Sequence, residues 1–292
     1  MKKLSSLILS FFLLILTNCD QIEPPYIEQN NQKAERTVLI EKFTGHQCSN
    51  CPEASRKLDE LKEFYGDNLI SIAIHPGGTE FTNTDINYPY NFTTTSGDVI
   101  MTDMGGTAFG LPLGTVNRIS GGIPNTRLWL KDDWATQIDN LLYDSNGEIL
   151  EKNIDFEITY SFEEGTKELI VQTNINILNN LEGNYNLCLL IIEDGILSPQ
   201  LDGTEYVNDY EHNHIYRCSI NSVYGENIND FYFIDLDGQS GYQAIHSITL
   251  DESANINWNN DWNNINNCSV IAYIYNSESL IIEHTEKTPI NY

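Results

Sequence analysis

One stretch, from Thr37 to Tyr65, most constrains the fold of this 292-residue chain. It begins with a short apolar run, Val38–Phe43, whose β-branched and large residues are typical of a buried strand. A loop then leads to Cys48-Ser49-Asn50-Cys51. The apolar residues that follow recur at helical spacing: Ala54, Leu58, Leu61 and Tyr65. The order strand, loop, Cys-x-x-Cys and helix favours a redox pair over a zinc site.

The start of a helix is a favourable place for a reactive cysteine. Its unpaired N–H groups and the positive end of its dipole both stabilise a thiolate, which is the attacking species in disulfide exchange. We therefore predict that Cys48, at an exposed lip, is the nucleophile and that Cys51 resolves the mixed disulfide. His46 would add positive charge when protonated. The alternatives are a structural disulfide or half of a zinc site, for which no second motif stands at zinc-finger spacing.

Residues 1–18 have the pattern of a signal peptide. Lys2 and Lys3 precede an uncharged apolar run, Leu7–Leu16, that is too short to span a bilayer comfortably. The sequence Leu16-Thr17-Asn18-Cys19 is similar to a bacterial lipobox, so we predict acylation of Cys19 and anchoring to a lipid bilayer. The alternative is an ordinary secreted protein. Residues 19–36, polar and with two adjacent prolines, are predicted to form a tether.

The segment after the Cys-x-x-Cys helix completes an α/β domain. We predict a second strand, Leu69–His75, parallel to the first, because a right-handed crossover connects them. Residues 76–110 form a long insertion with a helix near Ser96–Met104, and insertions of this length often cover a site. Pro112 stands directly before a strand, where a cis-proline would face the Cys pair and leave the adjacent backbone free for a substrate strand. Together these elements predict a thioredoxin-like domain over residues 37–145.

Beyond Ser145-Asn146-Gly147 the hydrophobic period changes from helical to strand-like. Apolar residues then alternate with polar ones, as in Ile154, Phe156, Ile158 and Tyr160. About seven or eight short strands separated by turn signals predict an antiparallel, Ig-like β-sandwich over residues 146–292. The predicted fold is therefore an α/β thioredoxin-like domain followed by an all-β Ig-like sandwich.

The net charge of −27 limits the partners that such a chain can bind. Excess negative charge repels both nucleic acid and anionic lipid headgroups. We therefore exclude nucleic acid as a partner. His212-Asn213-His214 could supply half of a metal site, but no third ligand is evident, so we predict neither a metal nor a cofactor. Cys188, Cys218 and Cys268 are compatible with one disulfide and one thiol, or with three buried thiols.

Four segments of the chain resemble the 28-kilodalton outer-membrane protein family. They are Val38–Gly45 with Cys48–Ala54, Pro112 with Asn117-Arg118, Tyr210–Arg217, and Asn267–Tyr275. The resemblance implies an outer-membrane lipoprotein of Gram-negative bacteria with a thioredoxin-like head and an Ig-like tail. It implies no settled activity, although an adhesin or receptor role is suggested for some members.

One position departs from the pattern of well-studied thioredoxins, which place a buried acid six residues before the first cysteine. Lys42 occupies this position, with Glu41 beside it. Glu41 could take the role of the acid only if the strand register differed by one residue, which would turn it to the other face. We retain Glu41, together with His46, as a candidate modulating residue.

Two functions are compatible with these patterns. The first is a membrane-tethered thiol–disulfide oxidoreductase acting on extracytoplasmic protein thiols, in which Cys48 attacks, Cys51 resolves and Pro112 helps to bind the substrate backbone. The second is a non-enzymatic surface lipoprotein, an adhesin or receptor, in which a Cys48–Cys51 disulfide is structural. Exposure of Cys48 and a relatively oxidising potential would favour the first function.

Overall fold

A computed structural model describes residues 35–179, 181–234, 240–250 and 265–291. The predicted signal peptide, Cys19 and nearly all of the tether lie outside the described residues. The described helices are α1 Cys51–Tyr65, α2 Thr95–Met104 and α3 Trp134–Leu142. The strands are β1 Val38–Phe43, β2 Leu69–Ile74, β3 Leu113–Val116, β4 Ile154–Glu163, β5 Glu168–Ile177, β6 Tyr185–Glu193, β7 Ile196–Asp202, β8 Glu205–His212, β9 Ile215–Ser219, β10 Glu226–Asn227, β11 Tyr232–Ile234, β12 Ser240–Thr249, β13 Cys268–Asn276 and β14 Ile282–Pro289.

A mixed sheet runs through the middle of the described residues in the order β14-β13-β6-β9-β2-β1-β3, with β10 on β6. As predicted, β1 and β2 are parallel, with Val38 opposite Leu69. The short β3 is antiparallel to β1 and places Leu113 opposite Phe43. On the far side of β3, within the described residues, the sheet continues as an isolated bridge between Gly114 and Trp129.

Helices cover both faces of the sheet around β1. Val38 and Ile40 pack against apolar residues of α1 and α3, including Leu58 and Trp134. The alternate residues of β1, such as Phe43, face the opposite side, where α2 packs. This arrangement follows from the strand period, because successive side chains point to opposite faces of a sheet.

The second half of the chain adds another layer. A four-stranded sheet in the order β11-β12-β5-β4 packs its apolar face against β6 and β13 of the mixed sheet. The alternation that predicted β4 is clear in the structure, since Ile154, Phe156 and Ile158 are buried while Glu157 and Thr159 are exposed. The protein is therefore mostly β, with a mixed sheet.

The predicted division at residue 145 does not separate two sheets. Strands β6, β9, β13 and β14 lie beyond this residue, yet they join the sheet built by β1, β2 and β3. The junction is between β2 and β9, where Ala73 pairs with Ile215 and the Ala73 N–H donates to the His214 carbonyl at 2.7 Å. The open edge of a strand favours pairing with another strand, but hydrophobic periodicity alone does not identify which strand that is.

Among the described residues, no helix is both long enough and apolar enough to cross a bilayer.

Candidate functional site

Cys48 and Cys51 form a disulfide with a Cα–Cα distance of 5.4 Å. The two cysteines stand where the sequence predicted, because β1 ends at Phe43 and α1 begins at Cys51. The Thr44 N–H donates to the Ile74 carbonyl at 2.9 Å, which fixes the start of the loop against β2. Pro52 is accommodated in the first helical turn, where its missing N–H removes no helical hydrogen bond.

The disulfide is buried rather than exposed. Cys48 is 2% exposed and Cys51 is 1% exposed. The expectation that Cys48 lies at an exposed lip is therefore wrong for this conformation. The reason is a tertiary contact: the β7–β8 hairpin, residues 196–212, lies over the loop that carries both cysteines.

Backbone and side-chain hydrogen bonds hold the hairpin on the cysteine loop. The Leu201 N–H donates to the His46 carbonyl and the Gly203 N–H to the Ser49 carbonyl, both at 2.8 Å. The buried Gln200 amide donates to the carbonyls of Gly45, at 3.2 Å, and Cys48, at 3.3 Å. In the described part of the chain, β7 and β8 pair only with each other, and these hydrogen bonds join them to the cysteine loop.

An ion pair between the hairpin and α1 adds to these contacts. The Arg56 guanidinium donates to both carboxylate oxygens of Asp202, at 2.7 and 3.3 Å. Because both side chains are partly exposed, this pair contributes less than about 1 kcal/mol.

The insertion at residues 76–110 covers the same loop from another side. The Gln47 N–H donates to the Phe81 carbonyl at 3.0 Å, and the Tyr206 hydroxyl of β8 donates to the Asn87 carbonyl at 2.7 Å. A glycine is required at position 45, because a Cβ atom there would lie 2.5 Å from the Phe81 carbonyl oxygen. The insertion and the hairpin therefore enclose the disulfide together.

His46 is buried in this enclosure, which disfavours the positive charge that the sequence suggested for it. Its ring stacks on Tyr88 with centroids 5.3 Å apart, and Nε2 lies 2.8 Å from the Asn83 carbonyl oxygen. Burial lowers the pKa of His46, and the hydrogen bond to Asn83 and the charge of Asp85 oppose this shift only in part. The neutral imidazole is therefore favoured near pH 7.

Glu41 lies on the face of β1 that points away from α1. Its carboxylate accepts hydrogen bonds from Arg118 Nε, at 2.8 Å, and Arg118 Nη2, at 2.5 Å. Thr115 Oγ1 donates a further bond at 2.8 Å, and Arg118 also donates to the Tyr273 hydroxyl. Glu41 is 1% exposed, so these groups form a buried, satisfied ion-pair network. Its contacts are structural and do not include the disulfide.

Lys42 occupies the opposite face, toward α1 and the cysteines. Its Nζ donates to Ser55 Oγ at 2.6 Å, and Ser55 Oγ lies 3.4 Å from the Cys51 carbonyl oxygen. Lys42, Cys51 and Ser55 also line one cavity of about 60 Å³ beneath the hairpin. The register of β1 therefore turns Lys42, and not Glu41, toward the cysteines.

Pro112 lies at the same end of the sheet as the cysteine loop. The Leu111–Pro112 peptide bond is cis, and Leu113 after it pairs with Phe43, the last residue of β1. The pairing of Leu113 with Phe43 therefore places Pro112 at the end of β1 where the cysteine loop begins.

The weaker sequence signals have structural explanations. His212 is buried at the end of β8, with Nε2 3.2 Å from the Ser198 carbonyl oxygen, whereas His214 has a positive φ of 61° and pairs with Asp194. The two imidazoles therefore have different surroundings. Three cysteines of the later strands are buried thiols: Cys188, Cys218 and Cys268.

Sequence reasoning missed the β7–β8 hairpin, although a signal for it was present. Gly203 and Thr204 form the two-residue loop between the paired residues Asp202 and Glu205, and Gly203 has the positive φ of 61° that the first position of such a turn needs. Pro199 obscured the signal, because proline inside a run of residues argues against a regular strand. In the structure the strand register shifts between Ser198 and Gln200, so the proline lies at an irregularity of β7.

These observations define a class: a mostly β protein with a mixed sheet and an enclosed Cys-x-x-Cys disulfide at a helix start. A family model described as outer membrane protein Omp28 matches residues 106–291. The chain belongs to this family, which confirms the resemblance found in the sequence and the predicted outer-membrane location. No curated protein matches the chain.

Three solved structures resemble the fold at low sequence identity. HBP35 of Porphyromonas gingivalis is 14% identical, with a TM-score of 0.60 over 88% of this chain and 76% of that chain. A protein from Agrobacterium tumefaciens is 11% identical, with a TM-score of 0.47 over 88% and 99% of the two chains. A domain of the outer membrane lipoprotein Omp28 from Porphyromonas gingivalis is 14% identical, with a TM-score of 0.32 over 49% and 93%. At 14% identity, the likeness to HBP35 concerns the fold alone.

Proposed function

We propose that this outer-membrane protein catalyses thiol–disulfide exchange on extracytoplasmic proteins, and that an acylated Cys19 holds it at the bilayer. The observation that carries the proposal is the disulfide between the end of β1 and the start of α1. The order β2-β1-β3, with α1 and α3 on one face and α2 on the other, supports a thioredoxin-like head. The helix start favours the thiolate that exchange requires.

In the proposed reaction the reduced pair passes two electrons to a substrate disulfide. The Cys48 thiolate attacks one substrate sulfur and releases the other as a thiolate. The Cys51 thiolate then attacks Cys48 Sγ, which reforms the Cys48–Cys51 disulfide and releases the second substrate sulfur. Pro112 and its neighbours, at the same end of the sheet, would bind the substrate backbone. The hairpin over the loop must move aside for any of these steps.

Burial of the disulfide favours a second function. At 2% and 1% exposure the two cysteines resemble a structural disulfide, as in the alternative of an adhesin or receptor. In this alternative the loops of the sandwich make the contacts with a surface partner. The two functions differ in the redox potential that they require, because structural disulfides of secreted proteins have potentials below about −300 mV.

A redox titration of the purified protein distinguishes the two functions. Thiol labelling and mass spectrometry would measure the reduced fraction of Cys48 and Cys51 in glutathione and dithiothreitol buffers. We expect a midpoint within the range of known oxidoreductases, about −120 to −270 mV, with Cys48 labelled first. The Cys48→Ser/Cys51→Ser variant provides the background from the three buried thiols. A pair that stays oxidised below about −300 mV would support the structural alternative instead.

A further inference from the structure

Lys42 is buried beside the disulfide without a carboxylate partner. Its side chain is 6% exposed, and in the described part of the chain no carboxylate oxygen lies within the 4.0 Å of an ion pair from Nζ. The Ser55 hydroxyl, at 2.6 Å, is the hydrogen-bond partner that the structure shows for Nζ. A buried ammonium without a carboxylate within ion-pair distance loses hydration that is not fully compensated, so loss of its proton becomes easier than in water.

The environment makes this amine a base of useful strength. Burial lowers the pKa of Lys42 to about 8, although the charge of Asp59 partly opposes the shift. A group with this pKa exists in both protonation states near neutral pH, which is the condition for efficient general acid–base catalysis.

Lys42 and Cys51 both line the cavity under the hairpin, and Ser55 contacts both residues. The other titratable groups around the cavity are Asp59 on α1, His75 after β2, and Tyr210, Glu211, His212 and His214 on or after β8. Burial lowers the pKa of His75 and lowers that of His212 to about 3, so both are weaker bases than Lys42. Burial raises the pKa of Tyr210, which is therefore a neutral phenol near pH 8. Lys42 is the cationic group of this cavity whose protonation changes near pH 8.

We propose that the Lys42 amine accepts the proton of the Cys51 thiol when Cys51 resolves the mixed disulfide. In this step the S–H bond of Cys51 breaks and an N–H bond forms on Lys42. The resulting thiolate attacks Cys48 Sγ, and the bond from Cys48 to the substrate sulfur breaks, so that the substrate leaves as a thiolate with the electron pair. The Lys42 ammonium then returns its proton to solvent. This role of Lys42 rests on the proposed exchange activity, in which Lys42 would be the base for the resolving step.

The test follows the two sulfur transfers separately. Reduced protein is mixed with dithiobis(nitrobenzoate), whose coloured thiolate is released once when Cys48 attacks and once more when Cys51 resolves. Stopped-flow absorbance then gives both rates from pH 6 to 10. In the wild-type protein we expect the second rate to rise with pH and to level off near pH 8. The Cys48→Ser/Cys51→Ser variant gives the contribution of the three buried thiols, Cys188, Cys218 and Cys268.

Three variants identify the role of the lysine. Lys42→Met removes the base, and we expect the second rate at pH 8 to fall about 100-fold and to continue rising with pH, because hydroxide must then take the proton. Lys42→Arg keeps a positive charge that does not deprotonate in this range, so we expect no rescue. Lys57→Met, which changes a partly exposed lysine of α1, should leave both rates unchanged.

Each outcome has a distinct meaning. A wild-type second rate that does not level off between pH 7 and 9 overturns the proposal without reference to any variant. Rescue by Lys42→Arg also overturns it, because charge alone would then suffice. If Cys48 releases no colour at all in the wild-type protein, both the exchange activity and this inference fail. If the first release occurs but the second ignores Lys42→Met, only the role of Lys42 fails.

Discussion

We expect the contact of Gln200 with the cysteine loop to limit access to the disulfide. Its amide donates to the carbonyls of Gly45 and Cys48, and each of these carbonyls keeps one backbone hydrogen bond when the amide is removed. The loss is therefore the net value of two hydrogen bonds, about 0.5–1.5 kcal/mol each, rather than the full penalty of two unpaired groups. Gln200→Ala should favour the open hairpin by about 1–3 kcal/mol in total, which corresponds to about a 5- to 150-fold larger open population.

The rate of reduction by dithiothreitol reports this population. If the reductant reaches the disulfide only from the open hairpin, and the hairpin closes faster than reduction occurs, the rate follows the opening equilibrium. Quenched alkylation and mass spectrometry would measure the loss of the Cys48–Cys51 disulfide. Asp202→Asn weakens the exposed pair with Arg56 and should raise the rate less than about fivefold. Gln243→Ala, an exposed glutamine on β12, is the matched control.

Equal reduction rates in the Gln200→Ala variant and in the wild-type protein would refute this reasoning. The reductant would then reach the sulfurs without opening of the hairpin. A higher rate accompanied by an equal change in the Gln243→Ala control would indicate general destabilisation rather than local opening.

Three further predictions concern the residues around the site. Glu41→Gln leaves the buried Arg118 charge without its partner, so urea unfolding should show a loss of about 3–5 kcal/mol, whereas an unchanged redox midpoint would confirm that Glu41 is structural. Gly45→Ala forces a Cβ against the Phe81 carbonyl and should reduce the unfolding free energy by about 1–3 kcal/mol, and unchanged thermal unfolding would contradict this. Burial lowers the pKa of Lys42 from 10.5 to about 8, so between these values the unfolded chain binds more protons than the folded one and stability rises with pH. Relative to Lys42→Met, the free energy of unfolding of the wild-type protein should therefore rise by on the order of 3 kcal/mol between pH 8 and 10.5. A difference between the two proteins that does not change with pH would refute the lowered pKa of Lys42.

The enclosed disulfide links these predictions to function. An outer-membrane protein whose Cys pair is covered by its own hairpin differs from one whose pair is always open, because access to the disulfide then depends on a conformational step. The measurements on Gln200 and on the redox midpoint separate the two properties: one reports access to the disulfide and the other reports its intrinsic stability.

Local elements were predictable because their causes are local. The apolar spacing from Ala54 to Tyr65 depends on contacts between neighbouring turns, so it indicated α1 correctly. The alternation after residue 153 indicated β4 and several of the strands that follow, although not β7 and β8. The same period of two placed Lys42, and not Glu41, on the side of α1, and the hydrogen bond to Ser55 agrees. Helix α2 also formed where the apolar patch near Ser96–Met104 suggested it.

By itself, then, the sequence determined the strand, cysteine pair and helix of the site, the β-rich second half and the family. Only the tertiary structure decided that β9 pairs with β2, that the β7–β8 hairpin covers Cys48 and that Glu41 is bound by Arg118. The physical reason is sequence distance: these contacts join residues from 77 to more than 140 positions apart. Their formation depends on which strand edges and buried charges remain unsatisfied once the local elements have formed, and a local pattern of residues does not record that.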